Sequence, residues 1–571
     1  MRFFQHWPLR TQKIIATVVV AFLNALLLWQ FFPTRWPYLW PSPALPIILG
    51  GILVLVWLRQ QGYWNKTLAI RVAGAVLLFL SEAYAWHTLT IAWAHPTLVA
   101  ILQAVTVLWV SGVIALGVLN QLWPRDNQVA PPLPAALPEV AVVIPTYGEP
   151  VAVLEPVLKS LLALDYPRAK LQIYISDDGH RAEVLHLAAR YHVHYHLGAQ
   201  RDAKAGNLNS CLPLIHELQP ACDLILTQDA DEVIDPAFLQ KLVGYFVNPA
   251  IAFVQTPKEC LVPKGDPFGN RDRIFYDTVQ TGRNGAGAAF ACGSGVVWRI
   301  SALERVGGFN TWNVVEDMTT SYELHSLGYR SDYHNEILSV GLAPDDIPGL
   351  IKQRGTWAVD TWRMFLFNNP LTKRGHLSVR QRLHYLELGL FYFTSAFVFP
   401  LTFLVPVLSL ISGDFLAVEG SVLFPWIVAN ALYYVVLAGG SLAYAWRHWQ
   451  YWIGHAPVYQ QAFWIAVRSR RHKPGYKVTR KTRVAGFYGH LLWPQFAALG
   501  VGIAAAIAGL LQFGDRFPVH VVTNIAIIGY YSLLLSGICR AAFYGVGLRE
   551  LPVIGLLLRW ARPALPVSPQ D

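Results

Sequence analysis

Long apolar segments on both sides of a polar block are the feature that most restricts how this chain can fold. The segments lie near residues 13–32, 45–60, 67–92, 98–122, 389–412, 421–446, 486–512 and 519–544. Each is about long enough to cross roughly 30 Å of hydrocarbon as a helix. The composition agrees, because 54% of the 571 residues are hydrophobic and only 14% are charged, which is unusual for a soluble protein. The sequence therefore predicts a membrane protein with four spans before the block and four after it.

The basic residues of the loops between these segments lie mostly on one side of the predicted membrane. That side holds Arg2, Arg10, Lys13, Arg59, Lys66, the stretch 447–483, Arg540, Arg549, Arg559 and Arg562, and the other side holds little beyond Arg35 and Arg516. Because loops rich in Lys and Arg stay in the cytoplasm, we expect both termini and the polar block to lie there, at a bacterial inner membrane. The net charge of +10 then indicates contact with anionic membrane lipids, and we expect no nucleic-acid partner.

These patterns divide the chain into six predicted regions. They are four N-terminal transmembrane helices in 1–123, a cytoplasmic α/β domain in 124–380, an interfacial helix and two transmembrane helices in 381–446, a cytoplasmic loop region in 447–485, two transmembrane helices in 486–544 and a short cytoplasmic tail in 545–571. The predicted fold class is a multi-span α-helical membrane protein with an inserted α/β domain.

Within the polar block, short apolar runs of strand character alternate with helical patterns. The runs are Val140–Ile144, Leu171–Ser176, Leu224–Thr227 and Ile251–Gln255, and each ends at a polar motif. Such alternation predicts a mostly parallel, twisted sheet covered on both faces. Ligands of sheets of this kind bind beyond the carboxyl ends of the strands. The acidic motifs at these ends therefore predict a ligand site along one edge of the sheet.

A series of motifs occurs in fixed order along the chain. They are Pro145-Thr-Tyr-Gly-Glu149, Asp177-Asp-Gly179, Lys204-Ala-Gly-Asn207, Asp229-Ala-Asp231, Gln255-Thr-Pro257, Phe290-Ala-Cys-Gly293, Glu316-Asp317 and Gln353-Arg-Gly-Thr-Trp357. The series resembles the family 2 glycosyltransferases and is most similar to the bacterial cellulose synthase catalytic subunit and its relatives. The resemblance covers nearly the whole chain, because Tyr476–Lys481 also matches the gating-loop pattern of that group. It implies a GT-A (Rossmann-like) domain that binds a UDP-sugar.

The resemblance implies that many of these residues bind the donor. Contacts to uridine and ribose are expected from Thr146, Tyr147, Glu149, Asp177 and Asp178, phosphate or uridine contacts from Lys204, and further donor contacts from Asp229 and Gln353. The diphosphate has to be neutralised as the glycosidic bond breaks, and a divalent cation held by carboxylates does this. We therefore expect Mg²⁺ or Mn²⁺ at Asp231, with Asp229 beside it reaching the metal or the donor sugar. The alternative for this pair is a solvated acidic turn.

Asp317 is the expected general base. When an acceptor hydroxyl attacks the anomeric carbon in a single displacement, a positioned carboxylate can take its proton, and an α-linked donor then gives a β-linkage. For Glu316, support of the metal from a distance and a salt bridge are both open. The resemblance implies an acceptor site at Trp357, Cys292 and Gly293, with the flat indole stacked on a sugar ring.

One position departs from the family pattern Gln-x-x-Arg-Trp. Thr356 stands in place of the arginine, so a bidentate contact to the diphosphate is missing there. Arg354 or Arg363 would have to compensate. The substitution argues against processive synthesis more than against glycosyl transfer itself.

A basic loop between the sixth and seventh predicted spans ends in Tyr476-Lys-Val-Thr-Arg-Lys481. The resemblance implies a gating loop that swings over the bound nucleotide, with Tyr476, Val478, Thr479 and Lys481 as its functional residues. Retention by anionic lipid is the alternative. The sequence after the last span leaves no room for the cyclic di-GMP-binding β-barrel of regulated cellulose synthases, so we expect no control by that nucleotide through this chain.

The leading hypothesis is an inverting enzyme that uses a UDP-hexose, with UDP-glucose as the expected donor, to extend a β-glucan and pass it through its own spans. The alternatives are non-processive transfer to a membrane lipid and a catalytically silent scaffold or transporter subunit. The expected partners are the UDP-sugar, a growing glucan or lipid acceptor, and membrane lipids. The sequence identifies neither the linkage nor an accessory subunit.

Overall fold

The computed structural model describes residues 66–415, 420–475 and 486–546. The predicted spans near 13–32 and 45–60 and the predicted gating-loop residues Tyr476, Val478, Thr479 and Lys481 lie outside the described residues. The described residues therefore include helices on both sides of the α/β block as well as the block itself.

Helices and strands occur together between residues 139 and 342, and the described residues on either side of this range form helices. The helices are α1 (Lys66–Ala94), α2 (Leu98–Asn120), α3 (Val151–Leu162), α4 (Ala182–Arg190), α5 (Ala203–Leu218), α6 (Phe238–Leu242), α7 (Gln280–Ala286), α8 (Ile300–Arg305), α9 (Glu316–Ser326), α10 (Ile347–Phe367), α11 (Val379–Phe393), α12 (Phe399–Ser412), α13 (Gly420–Leu437), α14 (Leu442–Gly454), α15 (Ala456–Arg468), α16 (Trp493–Phe513) and α17 (Pro518–Ala541). The strands are β1 (Glu139–Thr146), β2 (Leu171–Asp177), β3 (His194–Leu197), β4 (Cys222–Thr227), β5 (Glu232–Ile234), β6 (Ile251–Gln255), β7 (Lys258–Leu261), β8 (Val296–Arg299), β9 (Arg330–Tyr333) and β10 (Ser339–Leu342).

Seven strands in the described part of the chain form one sheet in the order β3-β2-β1-β4-β8-β6-β9. Its neighbouring strands run parallel except around β8, which is antiparallel to both β4 and β6. The prediction of a mostly parallel sheet is confirmed. The register places Thr146 of β1 opposite Asp177 of β2, and Thr227 of β4 and Gln255 of β6 both pair with Val296 of β8. The carboxyl ends of four strands therefore share one edge.

A smaller sheet continues from this edge. Its strands follow the order β5-β10-β7, with β10 antiparallel to β5 and parallel to β7. Strand β5 begins directly after Asp231, and β7 begins three residues after Gln255. The small sheet thereby brings Glu232 and Lys258, which start β5 and β7, next to the polar ends of the large sheet.

Apolar side chains cover both faces of the large sheet. On one face, Val142 of β1 belongs to a buried cluster with Leu158 of α3. On the other face, Val143 belongs to a second cluster with Leu208 of α5 and Leu303 of α8. Strands buried on both faces read as nearly continuous apolar runs, which is why their positions could be predicted.

Five helices within the described ranges are long and apolar enough to cross a membrane. They are α1, α2, the continuous helix Val379–Ser412 that contains α11 and α12, the helix Gly489–Phe513 that contains α16, and α17. The prediction of a membrane protein with spans on both sides of an α/β block is confirmed.

The predicted span near 421–446 consists of two helices in the structure, which together are long and apolar enough for one broken span or for a re-entrant loop. Helices α13 and α14 are separate, and their axes differ by 108°. Gly439 and Gly440 lie between them at φ +63° and +86°, which glycine adopts at little cost. Their N–H groups bond to carbonyls of the last turn of α13, and Ser441 then caps the start of α14. An average of hydropathy over a window of residues does not detect such a break between two helices.

Helix α10 joins the α/β domain to the membrane helices. Its Trp362 is fully buried in a cluster with Tyr392 of α11 and with Tyr459 and Ala462 of α15. The indole Nε1 donates a hydrogen bond to the carbonyl of Tyr459 at 3.2 Å. The apolar seam around Trp362 therefore connects α10 to α11 and α15.

Candidate active site

The polar ends of β1 and β2 are tied together by Arg181, a residue not predicted from the sequence. Asp177 is fully buried, and its Oδ1 accepts hydrogen bonds from Arg181 Nη2 and from the N–H of Gly179, both at 3.0 Å. Arg181 Nη2 also donates to Thr146 Oγ1 at 2.8 Å, and Nη1 donates to the carbonyl of Glu149 at 2.5 Å. Three of the predicted donor residues therefore form one bonded cluster. Direct contact of Asp177 with uridine stays a prediction.

Two further predicted donor residues border this cluster. The ring of Tyr147 is 57% exposed, while its N–H donates to Glu149 Oε2 at 2.9 Å. Asp178 is buried, its Oδ1 accepts the N–H of Gln200 at 3.0 Å, and burial raises the pKa of this carboxyl. A flat exposed ring beside carboxylates held by the backbone suits a nucleobase, which needs a stacking surface and polar contacts at its edge.

Lys204 lies at the centre of the acidic motifs. Its Nζ lies 2.7 Å from Asp229 Oδ1, 3.3 Å from Glu316 Oε1 and 2.6 Å from the carbonyl oxygen of Gly293. Burial alone would lower the pKa of this amine, but the carboxylates of Asp229 and Glu316 raise it above its ordinary value. Lys204 therefore remains a fixed positive charge where β4, α9 and the loop before β8 meet.

A second ammonium group, that of Lys258, lies on the other side of Asp229 and was missed in the sequence. Its Nζ lies 3.5 Å from Asp229 Oδ2 and 3.1 Å from Glu232 Oε2. Burial alone would lower its pKa, but these two carboxylates raise it well above the ordinary value. With the carboxylates of Asp229, Glu232 and Glu316, the two ammonium groups form one network of ion pairs.

Asp317 and Glu316 open α9, and both side chains are buried. Burial and the neighbouring Glu316 carboxylate raise the pKa of Asp317 to about 8, although the N–H of Met318 and the ammonium of Lys204 oppose the shift. Asp317 Oδ1 accepts the N–H of Met318 at 2.6 Å, while a Cβ added to Gly293 would lie 3.2 Å from Oδ2. A carboxylate with a pKa near the working pH is suited to take up and release a proton.

The loop that precedes β8 brings its backbone close to these charged groups. Gly293 and Gly295 adopt φ +90° and +62°, a conformation that favours glycine. The N–H of Cys292 donates to Gln255 Oε1 at 2.6 Å, which fixes the loop to the end of β6. Burial raises the pKa of the Cys292 thiol, so the group stays protonated. Cys292 and Gly293 thus lie beside Asp317, and their role in acceptor binding stays a prediction.

Helix α10 presents Trp357 at the surface. The indole is 37% exposed, and the guanidinium of Arg354 lies 4.7 Å from its ring centre. Arg354 also donates to the carbonyl of Gly269 at 3.3 Å. Gln353 precedes Trp357 by four residues and lies on the same side of the helix. The exposed indole is open to stacking, and the predicted roles of both residues remain untested by these contacts.

The structure contradicts Arg363 as a replacement for the arginine missing at position 356. Arg363 is fully buried, its Nη1 donates to the carbonyl of Trp312 at 2.8 Å, and its guanidinium lies 4.5 Å from the centre of that ring. The hydroxyl of Thr356 donates to the carbonyl of Lys352 in its own helix at 2.9 Å. Positive charge beside the acidic motifs comes instead from the two lysines on either side of Asp229.

Asp229 and Asp231 lie just beyond the end of β4, and carboxylates are oxygen ligands of the kind that divalent cations accept. Mg²⁺ binds proteins through one or two carboxylates and takes its remaining ligands from phosphates and water. The ammonium of Lys204 lies 2.7 Å from the Asp229 carboxylate, so this carboxylate already forms an ion pair. No group of three or more potential ligands occurs among the described His, Cys, Asp and Glu side chains, so donor phosphates would have to complete the coordination.

The chain just before the predicted gating loop contacts the turn that leads to Lys204. Lys473 Nζ lies 2.9 Å from Asp202 Oδ1. Gln200, Asp202 and Ala203 adopt φ +53°, +60° and +54°, and non-glycine residues in this region carry strain. A side chain from the membrane half of the molecule is therefore paired with a strained turn of the α/β domain.

Comparison with known families decides what the α/β domain is. A family model described as "Glycosyltransferase like family 2" matches residues 138–359, and one described as "Cellulose synthase" matches residues 304–463. Residues 138–359 form a family 2 glycosyltransferase domain. The matched range includes every described residue predicted above to bind the donor, the acceptor or the metal, and the glycosyltransferase domain coincides with the mixed α/β sheet.

Curated relatives of this chain include cellulose synthases. The chain is 31% identical over 366 residues to "Cellulose synthase catalytic subunit (UDP-forming)" of Xanthomonas axonopodis pv. citri, which covers 61% of this chain and 49% of the relative. It is 36% identical over 302 residues to "Cellulose synthase 1" of Komagataeibacter xylinus, which covers 51% of this chain and 19% of the relative. The chain thus spans less than half the length of these relatives.

Among solved structures, a mannosyltransferase from Pyrobaculum calidifontis in complex with GDP-Man and Mn²⁺ is similar to this chain. The sequences are 20% identical, and the TM-score is 0.45 over 63% of this chain and 99% of that one.

Proposed function

We propose that this chain is an inverting membrane glycosyltransferase that transfers glucose from UDP-glucose to a growing β-glucan and passes the polymer across the membrane. The observation that carries the proposal is the cluster in which Lys204 contacts Asp229 and Glu316 beside Asp317. This cluster lies at the carboxyl edge of the sheet, where donors bind in open α/β sheets. The similarity to the cellulose synthase of Xanthomonas axonopodis pv. citri, which is described as UDP-forming, supports UDP as the leaving nucleotide.

In the proposed reaction Asp317 takes the proton of the acceptor hydroxyl as that oxygen bonds to the anomeric carbon. The bond from this carbon to the UDP oxygen breaks in the same displacement, so the configuration inverts. A base with a pKa of about 8 holds the transferred proton more firmly than an ordinary aspartate. Lys204 and Lys258 balance the charge that develops on the departing diphosphate.

We propose Mg²⁺ or Mn²⁺ as the cofactor, with Asp231 and Asp229 as its protein ligands. When bound, such an ion would supply positive charge to the leaving diphosphate. The remaining donor contacts are assigned to Thr146, Tyr147, Glu149, Asp177, Asp178 and Gln353, and the acceptor contacts to Trp357, Cys292 and Gly293. We also propose that the catalytic domain lies on the cytoplasmic side of a bacterial inner membrane, which the basic residues of the loops support.

Purified protein in nanodiscs, incubated with radiolabelled UDP-glucose and Mg²⁺, tests this function. Insoluble polymer is then separated from organic-phase lipid and digested with linkage-specific glucanases. We expect label in a glucanase-sensitive polymer, and the enzyme that releases it identifies the linkage. Label in the organic phase would instead identify a glycolipid as the product. Label in neither fraction, with UDP-N-acetylglucosamine equally inactive in a parallel reaction, would contradict the proposal.

A further inference from the structure

A buried carboxylate, that of Asp360, connects the helix of Trp357 to the segment that carries Asp317. Asp360 lies on α10, three residues beyond Trp357, and is 1% exposed. Its Oδ1 accepts the N–H of Val314 at 3.2 Å, and its Oδ2 accepts the N–H of Val315 at 2.6 Å. Val315 is followed directly by the two acidic residues that open α9. The carboxylate therefore holds the backbone just before the proposed base.

The start of α9 has no cap of its own. Its N-cap residue is Val315, which makes no side-chain capping bond because valine has no acceptor. Burial raises the pKa of Asp360 to about 7, although the N–H groups of Val315 and Val314 oppose the shift, and a carboxyl group bonded to two backbone N–H groups makes directed contacts. Asp360 supplies such contacts from a different helix, so the position of α9 depends on that of α10.

Other contacts between α10 and the same loop make the connection stiffer. The side-chain amide of Asn313 donates to the backbone carbonyl of Asp360 at 3.2 Å and to Thr319 Oγ1 at 2.9 Å. Arg363, one turn further along α10, donates to the carbonyl of Trp312. The loop before α9 is thus bonded at successive residues to one face of α10.

We propose that Asp360 is a positioning residue that sets Asp317 relative to an acceptor stacked on Trp357. The proposal rests on the proposed function, since it takes Asp317 as the base and Trp357 as the acceptor contact. Asp360 itself touches neither the donor site nor the proposed metal ligands in the contacts described above. Its loss should therefore slow the chemical step and spare donor binding.

Asp360→Asn is the variant that tests this role, because it keeps the size of the side chain and replaces one acceptor oxygen with an NH2 group, which cannot accept a backbone N–H. Displacement of a catalytic group by about 1 Å can cost ~100-fold in rate, so we expect kcat to fall by about 10- to 100-fold. We expect the KM for UDP-glucose and the Kd of UDP to change less than about twofold, because the donor contacts are retained.

Asp266→Asn is the matched control. Asp266 also accepts two consecutive backbone N–H groups, those of Asn270 at 2.9 Å and Arg271 at 3.0 Å, but in a loop that does not carry the base. We expect its kcat to stay within about twofold of the native value, because surface-loop changes usually have small effects. An equal loss of kcat in both variants would overturn the proposal, as would native kcat in Asp360→Asn.

Hydrogen exchange followed by mass spectrometry gives a readout that does not need activity. We expect the peptide containing Val314 and Val315 to exchange faster in Asp360→Asn, and the peptide containing Asp177 and Arg181 to be unchanged. If the native protein transfers no glucose, the proposed function fails, and this exchange result still decides whether Asp360 holds the loop. Unchanged exchange of the Val314 peptide would overturn the positioning role.

Asp360→Glu covers the case in which Asp360→Asn does not fold. It keeps the carboxyl group and moves it by one methylene, so we expect native UDP affinity with a reduced kcat. A parallel loss of UDP affinity and kcat in a folded Asp360→Glu protein would indicate a general structural role and overturn the proposal.

Discussion

Glu316 and Asp317 are neighbours in the sequence, yet the fold gives their carboxylates different partners. Glu316 lies 3.3 Å from the ammonium of Lys204, whereas Asp317 accepts the N–H of Met318 and faces the loop of Gly293. Adjacent carboxyl groups in different environments commonly take different catalytic roles. The ion-paired Glu316 supports the charged cluster, and Asp317, with its raised pKa, is the one suited to proton transfer.

Replacement of Asp317 by Asn should reduce kcat by about 10²- to 10⁴-fold, the usual contribution of a general base. The affinity for UDP should stay within about twofold, because Asp317 makes none of the proposed donor contacts. Product formation and calorimetric titration with UDP measure the two quantities. Asp223→Asn is the control, since Asp223 is exposed at the other end of β4. A fully active Asp317→Asn protein would remove this residue from the base role.

The pH dependence of kcat/KM should report the ionisation of Asp317. The base is active only when deprotonated, and its pKa is raised to about 8, so kcat/KM should rise with pH and level off above that value. The pH profile of kcat/KM reports the free enzyme, which is the state the structure describes. UDP binding measured over the same range serves as the control and should stay nearly constant. A profile that is flat from neutral pH upward would contradict the assignment.

At the scale of the elements, local patterns predicted most of the sheet and few of its long-range contacts. Strands β2 and β6 were predicted to within one residue, because each is an apolar run that stops at a polar motif. Neither strand β8 nor its antiparallel direction was predicted, since the direction depends on pairing between distant segments. Lys258 and Arg181 were missed for a related reason. Each lies within a few residues of a predicted strand end. The sequence does not show that the chain turns there and brings the charged group next to a carboxylate.

The ion pair between Lys473 and Asp202 connects two segments that are distant in the sequence. The residues come from the chain after α15 and from the turn before α5, and the side chains are 22% and 43% exposed. Pairs this accessible to solvent contribute about 1 kcal/mol or less, so Lys473→Met should raise the KM for UDP-glucose by no more than about fivefold. We expect the double variant with Asp202→Asn to be no worse than Lys473→Met alone.

The helical pair Glu155–Lys159 on α3 is the control for this experiment. Its atoms lie 3.0 Å apart on an exposed face, away from the acidic motifs. Lys159→Met should leave the KM unchanged. Equal effects of the two lysine variants would show that the contact with Asp202 has no specific role in donor binding.

At the scale of the whole molecule, the catalytic domain and the membrane helices meet along the seam around Trp362. Its indole packs edge-on against Phe463 with ring centres 5.0 Å apart and also contacts Phe393 of α11. Because Trp357 lies on the same helix, the proposed acceptor contact has a fixed position relative to the spans. Transfer and export of one polymer would require such a rigid connection.

Trp362→Ala should lower the unfolding temperature of the whole protein, since removal of a buried Trp typically costs about 3–5 kcal/mol. Differential scanning fluorimetry in nanodiscs measures the shift, and polymer yield should fall with it. Trp357→Ala is the matched control on the same helix. Trp357 is partly exposed, so its removal should reduce polymer synthesis with little change in unfolding temperature. Equal unfolding temperatures for the two variants would contradict the seam's structural role.

The reversed direction of β8 has a consequence for how substrate preference can diverge. The parallel strands β1, β2 and β4 reach the reactive edge as they end, and the loops that leave them carry the proposed donor residues. Strand β8 reaches the same edge as it begins, with Val296 opposite Thr227, so the loop with Cys292 and Gly293 enters the site from a separate part of the chain. The proposed acceptor residues Cys292 and Gly293 thus lie on a different segment from the strand-end loops, yet the Gly293 carbonyl lies 2.6 Å from Lys204 Nζ, so this loop also shapes the donor site proposed above. An exchange of the loop before β8 would therefore have to keep the Gly293 carbonyl and the Ser294 hydroxyl, which contact Lys204 and the N–H of Asp229.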